Sequence, residues 1–548
     1  MSIAKNPVVR GFAPDPSVIR VGEWYYLAVS SFEWFPTIPI YRSRTLAEWE
    51  PIGSVDTAVP GNTLHGVPDS AGIWAPALSH DGERFWVTYS IVRTFLGRQL
   101  DVETYIATTH DPAAGWGRAV RVSGHGFDPS LFHHDGHHYL LNVQSDSRPG
   151  GSRFSGIVLT PLNERGERTS GTTHLLLQHP TLVEGPKLRY HEGWYYLLLA
   201  QGGTGVEHGV LTARSRQIEG PYELDDRPLL TSRNDRTLRL QKAGHAELVE
   251  ADGGRWYLSH LASRWLDTLQ GRQFPWGREV AFQEIIWRDG WPRLVGGGWH
   301  PADTFETPID IDDTAPTAAR VDAPLWRTLR EAPGDWADTH TQPGRVRLRG
   351  RHGVESLFGV SFLGTPLRDR RCTISTEMTA KPTTFTQSAG LALWYNSSSY
   401  YLLELTWIEP EGERQTGQQW RGEGSLAITI IARDTADARV IATRRLNTPS
   451  TLHLSARIDN DVAQFSVDGE SFGPLLDMGI LSDDYGQALR FTGSLAGIYA
   501  VDSVDAAFTA DFSELTIHPP HRHPYRRGST RRPCCAFHNE RALAWREP

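Results

Sequence analysis

Three carboxylic acids lie at matching points of a pattern that recurs along this chain: Asp15, Asp128 and Glu184. Two further repeats carry an aromatic residue, Trp74, and an imidazole, His245, at the corresponding point. Three acids around one cleft suit either the binding of a hard cation or the hydrolysis of a glycosidic bond, which needs one ionised and one protonated carboxyl. Aromatic residues beside the acids favour the second chemistry, because the C–H face of a pyranose packs against an aromatic ring.

Other catalytic chemistries lack their usual residues in this sequence. None of the lysines follows a glycine, so there is no phosphate-binding P-loop, and no Gly-x-Ser-x-Gly nucleophile elbow stands between a strand and a helix. The 3 cysteines have neither zinc-site spacing nor the number that a disulfide framework needs. Nucleotide, serine-nucleophile and structural-zinc chemistry are therefore disfavoured.

Length and charge exclude further classes of partner. The chain has 548 residues, a formal net charge of −9 and a pI of about 6.2, which makes it a poor binder of nucleic acid. No run of residues approaches the roughly 18 apolar residues of a membrane span, and residues 1–14 contain no apolar leader. We therefore expect a cytoplasmic protein without nucleic-acid or membrane partners.

Five segments of the chain share one design, with a spacing of about 55 residues. Each starts at one of the five anchor residues named above, continues through a short apolar stretch to a glycine, and ends in an aromatic-rich strand. Asp-Gly pairs at 81–82, 135–136 and 252–253 are typical of hairpin turns, because Asp-Gly accepts the positive φ angles of a type I′ turn. Each segment is therefore predicted to be a β-hairpin.

A repeat of this length leaves room for two more strands, and four-stranded units arranged around a channel form a β-propeller. The segments between the strands lack the amphipathic helical stretches that a parallel βα repeat requires. The sequence therefore predicts an all-β protein that begins with a five-bladed β-propeller. Because the innermost strands of a propeller line its axis, the five anchors are expected to converge there.

The strand pattern divides the chain into four regions. Residues 1–305 are predicted to form the propeller, which carries catalysis, and residues 306–321 have the composition of a linker. Residues 322–518 contain short strands with turn signals and almost no helical period, which favours a β-sandwich. Residues 519–548 form an arginine-rich tail that we expect to be disordered.

Taken in order, the motifs of residues 5–517 resemble glycoside hydrolase family 43, and specifically its β-xylosidases with a C-terminal, concanavalin-like β-sandwich. Singly these motifs are weak signals, but their order and spacing are highly specific. The motifs are Asn6-Pro7, Gly11–Ser17, Ser31–Pro36, Gly72–Pro76, Phe127–Ser130, Glu184–Pro186, Gly202–Gly205 with Glu207-His208, Lys242–His245 and Gly277–Glu279.

The resemblance implies an inverting mechanism with three carboxylates in distinct roles. Asp15 would be the general base that deprotonates the attacking water, and Glu184 the general acid that protonates the leaving oxygen. Asp128 would orient Glu184 and raise its pKa. Inversion requires room for a water molecule, so the two working carboxyls are expected to stand roughly 6.5–9.5 Å apart.

The resemblance also implies substrate-binding residues. Phe32 and Trp74 would form the aromatic walls of the terminal-sugar subsite, and Arg278 would donate hydrogen bonds to sugar hydroxyls. His245 would lie near the axis and orient groups or a calcium ion through water, although no cofactor is required. In the sandwich, the segment 491–497 resembles a loop that reaches the active site and makes the pocket a dead end, with Leu495 where an aromatic residue is common.

The expected activity is the exo-acting release of terminal β-D-xylose from short xylo-oligosaccharides. An α-L-arabinofuranosidase, or a bifunctional enzyme acting also on arabino-oligosaccharides, is the nearest alternative, because the two terminal sugars present similar hydroxyl groups. From a different class, the alternative is an inactive propeller that serves as a sugar-binding or interaction module. The resemblance further implies association into dimers or tetramers.

Overall fold

The computed structural model describes residues 1–56, 59–123, 126–169, 172–311, 326–339, 344–408, 424–446 and 451–519. The described residues contain strands and three single 3₁₀ turns, at Pro60–Asn62, Asp252–Gly254 and Met478–Ile480, but no α-helix. Nothing in these ranges is a helix long and apolar enough to cross a membrane. The predicted linker is described only to residue 311, and the predicted tail lies outside the described residues beyond residue 519.

Five antiparallel sheets follow one another along the first part of the chain, each built mainly from four consecutive strands. This arrangement confirms the predicted five-bladed propeller. The strands up to the third blade are β1 (Ile3–Lys5), β2 (Ser17–Val21), β3 (Trp24–Ala28), β4 (Trp34–Phe35), β5 (Ile40–Ser43), β6 (Glu50–Gly53), β7 (Gly72–His80), β8 (Phe85–Thr94), β9 (Asp101–Thr109), β10 (Val120–Ser123), β11 (Gly126–His134), β12 (His137–Gln144), β13 (Gly156–Leu162) and β14 (His174–Leu177).

The fourth and fifth blades keep this order with small additions. The fourth has two short strands paired with β17, and the fifth is interrupted by a separate hairpin, β22–β23. Their strands are β15 (Val183–His191), β16 (Trp194–Gln201), β17 (Gly209–Ser215), β18 (Glu223–Leu224), β19 (Leu230–Thr231), β20 (Leu240–Glu250), β21 (Trp256–Arg264), β22 (Leu266–Thr268), β23 (Gly271–Gln273), β24 (Glu279–Arg288), β25 (Trp291–Leu294) and β26 (Thr304–Glu306).

The ring of blades is closed by the N-terminal segment. Strand β1 pairs with β26, and Val9 forms a β-bridge with Val280 in the fifth blade. The Asn6 side chain donates to the carbonyls of Phe282 and Ala302 at 2.7 and 3.0 Å and accepts from the Phe282 amide at 3.0 Å. A buried amide with these partners satisfied fixes the first residues against the last blade.

The rest of the described chain forms a sandwich of two antiparallel sheets, one of eight strands and one of six. Its core is aliphatic and aromatic and includes Leu266 and Trp276 from the propeller. Its strands are β27 (Thr328–Leu329), β28 (Ala337–Asp338), β29 (Arg345–Arg349), β30 (Ser361–Pro366), β31 (Arg371–Ala380), β32 (Gln387–Asn396), β33 (Ser399–Ile408), β34 (Ser425–Asp434), β35 (Arg439–Arg445), β36 (Leu452–Asp459), β37 (Val462–Val467), β38 (Glu470–Asp477), β39 (Leu495–Asp502), β40 (Thr509–Ser513) and β41 (Thr516–His518), with β27 paired outside these two sheets.

The sandwich packs directly on the propeller. Strand β27 pairs with β4, which lies in a connection of the first blade. The Trp34 ring of the propeller lies 5.8 Å from the Phe362 ring of the sandwich, in one buried cluster that spans both domains. Arg330 forms an ion pair with Asp69 at 2.7 Å across the same contact. These contacts hold the sandwich against the end of the propeller that bears the site described next.

Candidate active site

One cavity at the axis of the propeller brings the predicted anchors together. It contains all seven site residues expected from the sequence, together with five that the sequence did not assign a role. Its lining consists of Asp15, Phe32, Trp74, Ala75, Phe127, Asp128, Glu184, Thr204, His208, His245, Arg278 and Phe491.

The inner strands of the second, third and fourth blades contain the same β-bulge. It follows Trp74, Phe127 and Glu184, which have equivalent positions in the strand register. The next residue in each strand has a positive φ angle, which interrupts the alternation of side chains. In the second and third blades two consecutive residues therefore line the same cavity. Near the axis, each blade has a residue with this left-handed conformation: Asp15, Ala75, Asp128, Gly185 and His245.

This geometry corrects the predicted alignment of the anchors. The sequence pattern placed Trp74 and Glu184 level with Asp128, but the register shows that Ala75 and Gly185 are its equivalents. Trp74 and Glu184 come from the preceding position instead. The prediction was wrong by one residue in two blades because a β-bulge leaves no mark in the repeat spacing, although all five side chains still reach the axis.

Asp15 is held in its charged form. Its carboxylate is 5% exposed and accepts hydrogen bonds from Arg278 Nη1 and Ser30 Oγ, both at 2.6 Å. Burial alone would raise the pKa of Asp15, but the Arg278 charge and the Ser30 hydrogen bond outweigh it, and the pKa lies below its usual value. Asp15 is therefore ionised at neutral pH.

The pKa values of Glu184 and Asp128 are shifted in the opposite direction, toward the protonated form. Burial raises the pKa of Glu184 well above its usual value, and the charges of Asp128 and Asp15 add to the effect. The pKa of Asp128 is also raised, by burial and by Asp15, while its Oδ2 accepts a 2.9 Å hydrogen bond from the Gly185 amide. The pair of Asp128 and Glu184 therefore retains a proton near neutral pH, next to the ionised Asp15.

Two neutral histidines complete the polar side of the cavity. His245 Nδ1 lies 3.7 Å from Asp15 Oδ1, and burial lowers the pKa of His245 to about 4. Burial also lowers the pKa of His208, to about 3. Glycines make room for both rings: a Cβ on Gly185 would lie 2.9 Å from His245, and one on Gly244 would lie 2.1 Å from His208.

Arg278 connects this site to the sandwich. Its Nη2 donates to the Phe491 carbonyl at 3.0 Å, and the Phe491 amide donates to Ser70 Oγ at 3.1 Å. The predicted segment therefore reaches the cavity, but through Phe491. Leu495 is fully buried in strand β39, in the cluster shared by both domains.

Aromatic rings form the opposite wall. The Phe491 ring lies 5.5 Å from Trp74 and 6.0 Å from Phe32, and the Trp74 ring lies 5.9 Å from Phe127. Phe32 adopts a φ angle of 51°, with its backbone bridged to Ile73. Phe127 occupies the same register position as Trp74, an equivalence that the structure shows and the repeat spacing does not. No local pattern marks Phe491 as a wall residue.

The resemblance allows a calcium ion, held through water at His245, without requiring one. No three His, Cys, Asp or Glu side chains within the described ranges are placed to hold one metal ion together. Calcium is bound in proteins by six to eight oxygen ligands, and Asp15 already accepts from Arg278 and Ser30. Binding of calcium through water at His245 stays a prediction.

Comparisons with known proteins agree with both halves of the fold. Residues 4–292 match the family model for glycosyl hydrolases family 43. Residues 322–518 match the model for the β-xylosidase C-terminal concanavalin A-like domain.

Similar proteins cover nearly the whole chain. Xylosidase/arabinosidase 43B from Humicola insolens is 34% identical over 96% of this chain and 99% of its own length. Xylan 1,3-beta-xylosidase from a Vibrio species is 34% identical over 93% of this chain and 98% of its own. The crystal structure of xylan beta-1,4-xylosidase from Bacillus halodurans C-125 matches with a TM-score of 0.83 and 33% identity, covering 94% of this chain and 100% of that one.

The contact between Gly185 and His245 can be tested by substitution. Gly185→Ala would place a Cβ 2.9 Å from the buried His245 ring, at a φ angle of 58°. We expect it to reduce stability by about 1–3 kcal/mol through overpacking, in addition to the backbone strain. The thermal unfolding midpoint measures this loss.

Gly203→Ala is the matched control. Gly203 has a similar φ angle of 65°, but the nearest atom to an added Cβ is 3.9 Å away, so only the strain is present. Equal decreases in the unfolding midpoint for the two variants would show that His245 does not press on position 185.

Proposed function

The chain belongs to glycosyl hydrolases family 43, and from this premise we propose that it is an exo-acting, inverting β-xylosidase that releases terminal β-D-xylose from short xylo-oligosaccharides. The observation that carries the proposal is the opposite protonation of two carboxyls in one cavity. The pKa of Asp15 is lowered and the pKa of Glu184 is raised. Inverting hydrolysis needs one group of each kind.

In the proposed reaction, Asp15 takes a proton from a water molecule whose oxygen attacks the anomeric carbon. The bond from that carbon to the leaving oxygen breaks, and Glu184 transfers its proton to the leaving oxygen. Asp15 ends protonated and Glu184 ionised, and exchange with solvent restores both. Each proton transfer of this kind contributes about 10²–10⁴-fold to the rate.

The neighbouring residues support these two roles. Asp128 raises the pKa of Glu184 through its charge and fixes the adjacent Gly185 amide. Arg278 keeps Asp15 ionised and, with its remaining donors, faces the sugar hydroxyls. His245 stands beside Asp15 as a neutral group.

The aromatic wall supports exo-cleavage of a terminal sugar. Phe32 and Trp74 come from the propeller, and Phe491 closes the same wall from the sandwich. We infer that a single sugar ring packs against these three side chains while the rest of the chain extends outward. A wall made by two domains favours a closed pocket over an open groove.

An additional arabinofuranosidase activity is the second candidate. It is favoured by the relative from Humicola insolens, which is named for both xylosidase and arabinosidase activity. Two xylosyl linkages are candidates for cleavage, because the relatives include a 1,3-xylosidase and a 1,4-xylosidase. All of these activities use the same two carboxyls.

Hydrolysis of two aryl glycosides and two disaccharides tests this assignment. We expect the purified protein to hydrolyse aryl β-D-xyloside faster than aryl α-L-arabinofuranoside, and to cleave β-1,4-xylobiose faster than β-1,3-xylobiose. Release of the aryl group and of xylose are the measurements. The absence of hydrolysis of all four compounds would favour an inactive sugar-binding propeller and would contradict the proposal.

The acid role of Glu184 predicts a dependence on the leaving group. Glu184→Gln removes the proton donor, so we expect kcat on xylobiose to fall by about 10²–10⁴-fold and kcat on an activated aryl xyloside to fall far less. A poor leaving group needs the proton, whereas an activated phenolate departs without it. Equal losses on the two substrates would contradict the acid assignment.

Asp15→Asn is the matched comparison, because it is also an isosteric loss of one carboxyl. We expect it to be inactive on both substrates, since activation of the water is needed whatever the leaving group. Substantial turnover of either substrate by this variant would remove Asp15 as the base.

A further inference from the structure

The six-stranded sheet of the sandwich has an outer face that the propeller covers only in part. Along β33, Tyr401 and Leu403 point into the sandwich core, while Tyr400, Leu402 and Glu404 point to the outer face. At one end this face meets the propeller, where Phe362 packs against both Trp394 and the propeller's Trp34. Beyond that contact lies a cavity of about 440 Å³, which is within the usual size range of small-molecule sites.

The walls of this cavity combine polar and apolar groups. It is separate from the catalytic cavity, since the two share no lining residue. The residues that matter for its chemistry are Ser388, Leu402, Glu404, Ile431, Tyr499 and Val501.

Glu404 is a buried acid without a cationic partner. Glu404 is only 7% exposed. None of the ion pairs found among the described residues involves it. Three side chains already bond to its carboxyl: Tyr499 Oη donates to Oε2 at 2.8 Å, Thr429 Oγ1 donates to Oε1 at 3.3 Å, and the Ser388 hydroxyl is hydrogen-bonded to it as well. A carboxyl group offers about four acceptor positions, so about one remains for a hydrogen bond from a ligand.

The neighbouring acid in this cavity, Glu355, is paired differently. Arg433 Nη1 lies 2.8 Å from its Oε1, and Tyr400 Oη donates to the same carboxylate. The Tyr400 ring is in turn stacked on Trp394, with an interplanar angle of 7°. The cavity wall is thus fixed before any ligand binds, and Glu404 remains its one acid lacking a charged neighbour among the described residues.

The environment of Glu404 distinguishes between two classes of ligand. A cationic ligand would require the carboxylate to be ionised, yet burial raises the pKa of Glu404 and favours the neutral form. A neutral ligand with several hydroxyl groups can donate to the carboxyl in either form and can donate to the oxygen of the Ser388 hydroxyl, whose own proton is directed at Glu404. Its C–H face can pack against Leu402, Ile431 and Val501.

We propose that this cavity is a second carbohydrate site, which binds a xylosyl unit of an oligosaccharide without hydrolysing it. The choice of xylose rests on the proposed function, whereas the cavity and its unpaired acid do not. Hydrolysis needs two working carboxyls, and in this cavity the carboxylate of Glu355 is already engaged by Arg433 and Tyr400. It would retain a sugar chain on the sandwich while the propeller cleaves terminal units.

Binding stoichiometry tests the second site. We use Glu184→Gln as the parent, because it hydrolyses xylobiose slowly, and titrate it with β-1,4-xylobiose by calorimetry. We expect two binding sites per chain in the parent and one after Glu404→Gln. Activity of the single variant Glu404→Gln on an aryl xyloside should stay within about twofold of the unsubstituted protein, since no residue of the catalytic cavity changes.

Because Glu404 is buried, Glu404→Gln could disturb folding, so two substitutions at exposed residues test the same cavity. Ala438 lines the cavity and is exposed, so Ala438→Leu should obstruct it and again leave one site. Ala436 is exposed in the same connection but does not line the cavity, so Ala436→Leu should retain two sites.

The outcomes separate this inference from the proposed function. One site in the parent that Glu404→Gln leaves intact, or two sites that persist in both Glu404→Gln and Ala438→Leu, would overturn the second site. One site in the parent that disappears on Glu404→Gln would support the second site while contradicting sugar binding in the catalytic cavity.

Discussion

The contact between Arg278 and Asp15 is the interaction on which the rest of the site depends. Three carboxyl groups buried around one axis repel one another, and burial favours the neutral form of each. Arg278 lowers the pKa of all three, but only at Asp15, which it contacts at 2.6 Å and which Ser30 and His245 also favour as a carboxylate, does the lowering exceed the effect of burial. Glu184 and Asp128 then lie near a fixed negative charge, which helps to keep a proton on that pair. One guanidinium therefore separates a base from an acid.

Both domains contribute to this arrangement. The β-bulges of the propeller turn consecutive side chains toward the axis, and the glycines at 185 and 244 admit the histidine rings between them. The sandwich supplies Phe491, whose carbonyl accepts from Arg278 and whose ring closes the aromatic wall. The orientation of the charged group that controls Asp15 thus depends on a segment more than 200 residues away in sequence. The catalytic cavity is a product of the domain contact as well as of the propeller.

Much of the fold was predictable because it follows local rules. The anchors and the aromatic strands repeat five times, Asp-Gly turns occur in three of the repeats, and the absence of helical periods excludes a βα repeat. Asp15 and Asp128 were placed correctly at the axis, each with a positive φ angle before a proline. The position of Glu184 was displaced by one residue, because a bulge changes the register without changing the sequence spacing. The contact of Arg278 with Asp15 and the role of Phe491 arise from long-range packing, which the sequence does not show. Glu404 lies in a strand with the usual alternation of inward and outward side chains, so nothing in the local sequence marks it.

The stereochemistry of the first product tests most directly whether an ionised Asp15 activates water across from a protonated Glu184. Proton NMR of the unsubstituted protein acting on β-1,4-xylobiose follows the anomeric signals before mutarotation is complete. We expect α-xylose to appear first from the non-reducing unit, with the β-anomer growing later as the free sugar equilibrates. Initial release of β-xylose would mean that a carboxylate attacks the sugar itself, and it would contradict the assignment of Asp15 as a base.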